Sequence, residues 1–150
     1  MKKIIKAKTA EDIIRLGKTI GKLAFPNMVI TMEGDLGAGK TTMTKGIGEA
    51  LEINRVINSP TFTIMKTYEG RLPLYHMDVY RISNETGDEY LEEYFELGGV
   101  TVIEWANNVS EIIPDDRLEI TISIDDDNVR NIELSSNCEK YIELINKLDE

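Results

Sequence analysis

Eight consecutive residues, Gly34-Asp35-Leu36-Gly37-Ala38-Gly39-Lys40-Thr41, fit the spacing G-x-x-x-x-G-K-[ST]. Each position has a chemical task. Glycines allow backbone conformations that turn successive N–H groups inward, where they cradle phosphate oxygens. The helix that should follow points its positive end at the same anion. Lys40 reaches the β- and γ-phosphates, and the Thr41 hydroxyl can ligate Mg²⁺. A glycine-rich turn with an incidental lysine would look similar in isolation. Context decides against it, because an apolar run at 28–32 precedes the loop and a helix-compatible run at 41–51 follows. The loop, including Asp35, Gly37, Ala38, Gly39, Lys40, Thr41 and Thr42, is therefore read as an ATP site.

A cradle holds nucleotide without hydrolysing it; hydrolysis calls for carboxylates that hold Mg²⁺ and orient water. Two stand at the ends of predicted strands, where ligands of α/β sheets collect. Glu104 follows the apolar run 100–103, and Asp78 lies in Tyr75-His76-Met77-Asp78-Val79-Tyr80-Arg81. Strand alternation puts His76, Asp78 and Tyr80 on one face. His76, the only histidine, reads as a structural residue or a catalyst. Trp105, the only tryptophan, reads as core or as a neighbour of the nucleotide. Ser59-Pro60-Thr61-Phe62 is either plain loop chemistry or a mobile segment whose Ser59 and Thr61 sense the γ-phosphate.

The elements that would position these groups are legible in outline. Residues 3–7 form a short opening strand. Thr9 caps a helix with acidic Glu11 and Asp12 in its first turn, and Ile13, Leu16, Gly17, Ile20 and Leu23 recur at helical spacing until Pro26-Asn27. Residues 61–68 and 72–79 flank the turn Glu69-Gly70 as a hairpin. A break at 84–87 precedes a short acidic helix at 88–95, and Gly98-Gly99 turns the chain into strand 100–103. A second hairpin pairs 118–124 with 129–134, and an amphipathic helix at 138–148 closes the chain. Such alternation predicts one α/β domain over 1–150, a P-loop NTPase-like fold with a mixed, mostly parallel sheet and helices on both faces.

Bulk properties narrow the class. Twenty-seven acidic against 17 basic residues give a net charge of −10. That balance makes the chain a poor binder of nucleic acid by itself, so any RNA should be held by a partner. No apolar run approaches the ~20 residues of a membrane span, and residues 1–6 lack the pattern of a secretory signal. The single Cys138 allows no internal disulfide. A cytoplasmic protein is expected, with no membrane association.

Four motifs in this order, GDLGAGKTT at 34–42, SPTF at 59–62, His76-x-Asp78-x-Tyr80-Arg81 and Glu104-Trp105, closely resemble the TsaE family, the bacterial ATPases of the tRNA threonylcarbamoyladenosine pathway. The resemblance covers nearly the whole chain. It implies a Mg²⁺-dependent ATPase with weak intrinsic activity that associates with TsaD and TsaB and resets their complex between turnovers, touching tRNA only through them. It implies that Lys40 and the loop amides hold phosphates, Thr41 and Glu104 hold Mg²⁺, and Asp78 is the essential acid. Ser59 and Thr61 fall on a switch-like segment, Trp105 near the nucleotide, Arg130 near its edge, and Thr9 near the adenine, where its capping role is a sufficient explanation. The stretch 85–96 is more acidic than the family's. A small-molecule kinase is the main competing reading, but Arg55, Arg71, Arg81, Arg117 and Arg130 form no cluster in sequence to serve a lid. A subunit that senses nucleotide without turnover is the other.

Overall fold

The computed structural model describes residues 1–35, 38–58, 65–79 and 89–148. Gly37, the segment Ser59 to Phe62 with its Ser59 and Thr61, Tyr80, Arg81 and the break at 84–87 lie outside them. Seven strands form one sheet: β1 (Lys2–Ala7), β2 (Met28–Glu33), β3 (Met65–Tyr68), β4 (Leu74–Asp78), β5 (Val100–Glu104), β6 (Leu118–Ile124) and β7 (Arg130–Ser135). Their spatial order is β1-β7-β6-β2-β5-β4-β3. The sheet is mixed as expected: its four central strands β6, β2, β5 and β4 run parallel, and both flanks are antiparallel. Both expected hairpins, β3–β4 and β6–β7, are present. The acidic segment is a 3-10 helix, Glu89–Glu96, and a second one, Ala106–Val109, follows β5.

Strand β2 is buried along most of its length, and alternation divides it between two cores. Met28, Ile30 and Met32 join one apolar cluster with residues of α1 (Ala10–Lys22), α2 (Lys40–Ala50) and α3 (Glu139–Asn146). Val29 joins a second with Leu91, Phe95, Ala106 and Val109 of the 3-10 helices. Tyr141 of α3 fastens the start of β2, its hydroxyl accepting the buried Val29 N–H at 2.9 Å.

Helix α1 begins where the residues say it should. Thr9 and Asp12 form a reciprocal capping box, each side chain accepting the other's backbone N–H at 3.2 Å. Its buried face, Ile13, Leu16, Gly17 and Ile20, lies on α2 at glycine-to-backbone distance. A Cβ added at Gly17 would fall 2.3 Å from the Met43 carbonyl oxygen, and one at Gly46 would fall 2.2 Å from that of Ile14. The helix that leaves the glycine loop is thereby wedged against its neighbour. No helix among the described residues is long and apolar enough to cross a membrane.

Candidate functional site

The carboxyl ends of β2, β4 and β5 lie side by side, and the candidate residues sit at that edge. Register aligns Met32, Glu104 and Asp78 in one row across the three strands, with Ile30, Val102 and His76 in the row below. A nucleotide crevice belongs at such an edge, where the order of parallel strands reverses around the first βα unit. Here β2 lies between β6 and β5, and the glycine loop leaves its end.

The loop's backbone is described at its two ends. Gly34 has φ +153° and Gly39 φ +120°, both in the region that favours glycine. Gly39 caps α2, and no side chain closes this helix end, nor does its first turn carry an acid. Helix α1 has both. Among the described residues the first-turn amides of α2, and the positive end of its dipole, can receive an anion. Thr41 and Thr42 are half-buried in that first turn, Ala38 is buried and Asp35 is exposed.

Lys40 is only 5% exposed. Its Nζ donates to the Gly34 carbonyl at 2.5 Å and stands 3.7 Å from the centre of the Trp105 ring. Burial pulls the ammonium below the usual lysine range, against opposing contributions from Glu104 first, then Asp78, Glu33 and Asp35. Four carboxylates thus favour the charge of one buried lysine. Glu104 is 3% exposed, and its Oε2 meets His76 Nε2 at 2.5 Å.

Trp105 reaches Lys40 because the chain breaks alternation there. A continued strand would put residue 105 on the face opposite Glu104. Instead Trp105 adopts a left-handed conformation, φ +63°, while its N–H still donates to the Met32 carbonyl at 3.1 Å. The following turn is fastened at two points: the Asn107 N–H to Glu33 Oε1 at 2.8 Å, and Asn108 Nδ2 to the Val79 carbonyl at 2.9 Å. Glu33 and Asn108 were not singled out from the sequence. Their only signal is adjacency, Glu33 just before the loop and Asn107-Asn108 just after Glu104-Trp105.

Arg130 opens β7 opposite Ala7 and Ile124, which places it, with Thr9, at the same end of the sheet as the loop. Its half-buried guanidinium reaches the Asn128 carbonyl at 3.5 Å, and its Nε has no hydrogen-bond partner. Structure therefore brings Lys40, Glu104, Asp78 and Trp105 into one cluster, with Arg130 two strands away across β6.

Among the described residues no three His, Cys, Asp or Glu side chains group to hold a metal. Mg²⁺ does not require such a cage, because it takes one or two protein oxygens and keeps water and phosphate for the rest. A threonine hydroxyl and one carboxylate suit it. His76 meets Oε2 of Glu104, and the carboxylate keeps lone pairs for another partner.

Known proteins resemble this chain over most of its length. Residues 7–132 match the family model of "Threonylcarbamoyl adenosine biosynthesis protein TsaE". The tRNA threonylcarbamoyladenosine biosynthesis protein TsaE of Bacillus subtilis is 48% identical over 139 residues, covering 92% of this chain and 88% of the relative. That of Treponema pallidum is 38% identical over 134 residues, covering 84% and 95%. The crystal structure of Bacillus subtilis YdiB superposes with a TM-score of 0.87 at 40% identity, over 98% of this chain and 93% of the other. The chain belongs to the TsaE family.

Proposed function

We propose that this chain is a Mg²⁺-dependent ATPase of tRNA threonylcarbamoyladenosine biosynthesis, working in the cytoplasm with TsaD and TsaB, whose complex its turnover resets. The observation that carries the reading is the buried Lys40 at the start of an uncapped α2, facing Glu104 and Asp78 from two adjacent parallel strands.

In this reading the loop amides and Lys40 bind the phosphates, the ammonium exchanging the Gly34 carbonyl for phosphate oxygens. Thr41 and Glu104 hold Mg²⁺, which neutralises charge on the transferring phosphoryl group. Asp78, beside Glu104 in register, orients the attacking water. Trp105 walls the site, Arg130 lies towards the nucleotide edge, and Ser59 and Thr61 relay the nucleotide state outward. Water as acceptor is favoured by where the described arginines are engaged. Arg71 donates to the Gly21 carbonyl, Arg117 pairs with Glu119, and Arg55 stands over the Tyr68 ring, so none of these serves a phosphoryl-neutralising lid.

The test follows the label from γ-labelled ATP, with and without TsaD and TsaB. Inorganic phosphate, formed faster with the partners and about 10²-fold or more slower in Asp78→Ala, is the expected result. Label on an acceptor would make the protein a kinase. No release even with both partners would make it a nucleotide sensor and end the hydrolytic reading.

A further inference from the structure

His76 has no task in the mechanism above, yet its placement is hard to explain by packing. It lies in the middle of β4 at 0% exposure, with Leu74 before it on the same face and Val102 beside it in register. An apolar side chain would fill that space without penalty. A histidine there brings two ring nitrogens: Nε2 meets Glu104 Oε2 at 2.5 Å, while the buried Nδ1 has no partner among the described residues. An unsatisfied buried polar atom destabilises a fold, so packing does not account for the residue.

What the imidazole achieves is geometric. The contact with Glu104 is diagonal, since register pairs His76 with Val102 and Asp78 with Glu104. Both ends of it stand on strands hydrogen-bonded to each other, so no loop motion can loosen it. A hydrogen bond to Oε2 restrains the rotation of the carboxylate and leaves its other lone pairs for a second ligand. Glutamate has three side-chain torsions, and a flexible carboxylate beside the buried Lys40 would otherwise turn towards the ammonium.

We propose that His76 is a positioning residue that holds the Glu104 carboxylate in the orientation that receives Mg²⁺. The proposal rests on the reading of Glu104 as a metal-associated acid. Groups that orient a metal's ligands change metal affinity by about 10–100-fold when removed.

The experiment uses the full chain and its single Trp105 as a fluorescent reporter of ATP, titrated once in EDTA and once at increasing Mg²⁺. Glutamine extends its amide about as far as the imidazole Nε2, whereas asparagine stops near Nδ1; both bury a polar group. His76→Gln should keep the Mg²⁺ response within a few-fold of the original. His76→Asn should need about 10–100-fold more Mg²⁺ while binding ATP in EDTA as His76→Gln does. Equal Mg²⁺ responses in the two variants, or loss of the response in His76→Gln, would overturn the proposal. Should His76→Asn fail to fold, His76→Leu takes its place, and an unaltered Mg²⁺ response in it is equally fatal. Glu104→Gln separates the two ideas: it should lose the Mg²⁺ increment outright, and if it does not, the reading of Glu104 itself fails.

Discussion

Lys40 is 5% exposed, and burial disfavours the charged form of its ammonium. Its proton is held more weakly in the folded chain than in the unfolded one. Between the lowered value and the ordinary 10.5, the unfolded chain therefore binds more protons, and stability contributed by this group rises with pH. Lys40→Met removes the titration and leaves the other lysines as they were. Urea unfolding of the two proteins should show the unmodified chain gaining on Lys40→Met as pH climbs towards 10.5. A gap that stays constant would contradict the burial argument. The same variant should lose the Trp105 fluorescence response to ATP. At this scale the sequence was informative about which residues stand at the strand ends and silent about how they touch. Lys40, Asp78 and Glu104 could be read from spacing and strand ends. The His76–Glu104 contact could not, because a diagonal between two strands depends on register. Nor could the left-handed turn that swings Trp105 onto Lys40, since tryptophan has no intrinsic preference for it.

Among the elements, α2 is the one whose ends have different duties. Its amino end is open to an anion, while its flank is fixed to α1 through Gly17 and Gly46. A methyl at Gly46 must displace the backbone of α1 at Ile14, so Gly46→Ala should cost about 1–3 kcal/mol or more. Thermal unfolding should record a drop of about 2–4 °C for each kcal/mol in a chain of this size. An unchanged midpoint would mean the helices separate readily, and α2 would not be a rigid support for the loop. The elements themselves were largely visible: the capping box at Thr9, the apolar stripe from Ile13 to Ile20, and both hairpins follow local rules of spacing and turn chemistry. Their arrangement was less so. The 3-10 form of Glu89–Glu96 and the equal division of strand pairings into parallel and antiparallel depend on long-range contacts, which local periodicity does not encode.

For the molecule as a whole the decisive quantity is the net charge of −10. A surface with so few positive charges has little to hold phosphates, so tRNA should stay off the isolated chain at ~0.15 M salt. Gel-shift or filter retention with the protein alone should show no complex, and a complex should appear only when TsaD and TsaB are added. Salt-sensitive retention by the chain alone would return the tRNA contact to this surface and undo the assignment of that task to partners.

The pairing of β1 with β7 also has a consequence in time. Lys2 faces Ser135 and Ala7 faces Arg130, so the first strand of this sheet has no place in it until the last has been synthesised. Contacts so remote in sequence form late and slow the search for the native topology. Through that interval residues 2–7 remain an unpaired segment, and their Lys2, Lys3 and Lys6 give it the charge that discourages pairing with strands of other nascent chains.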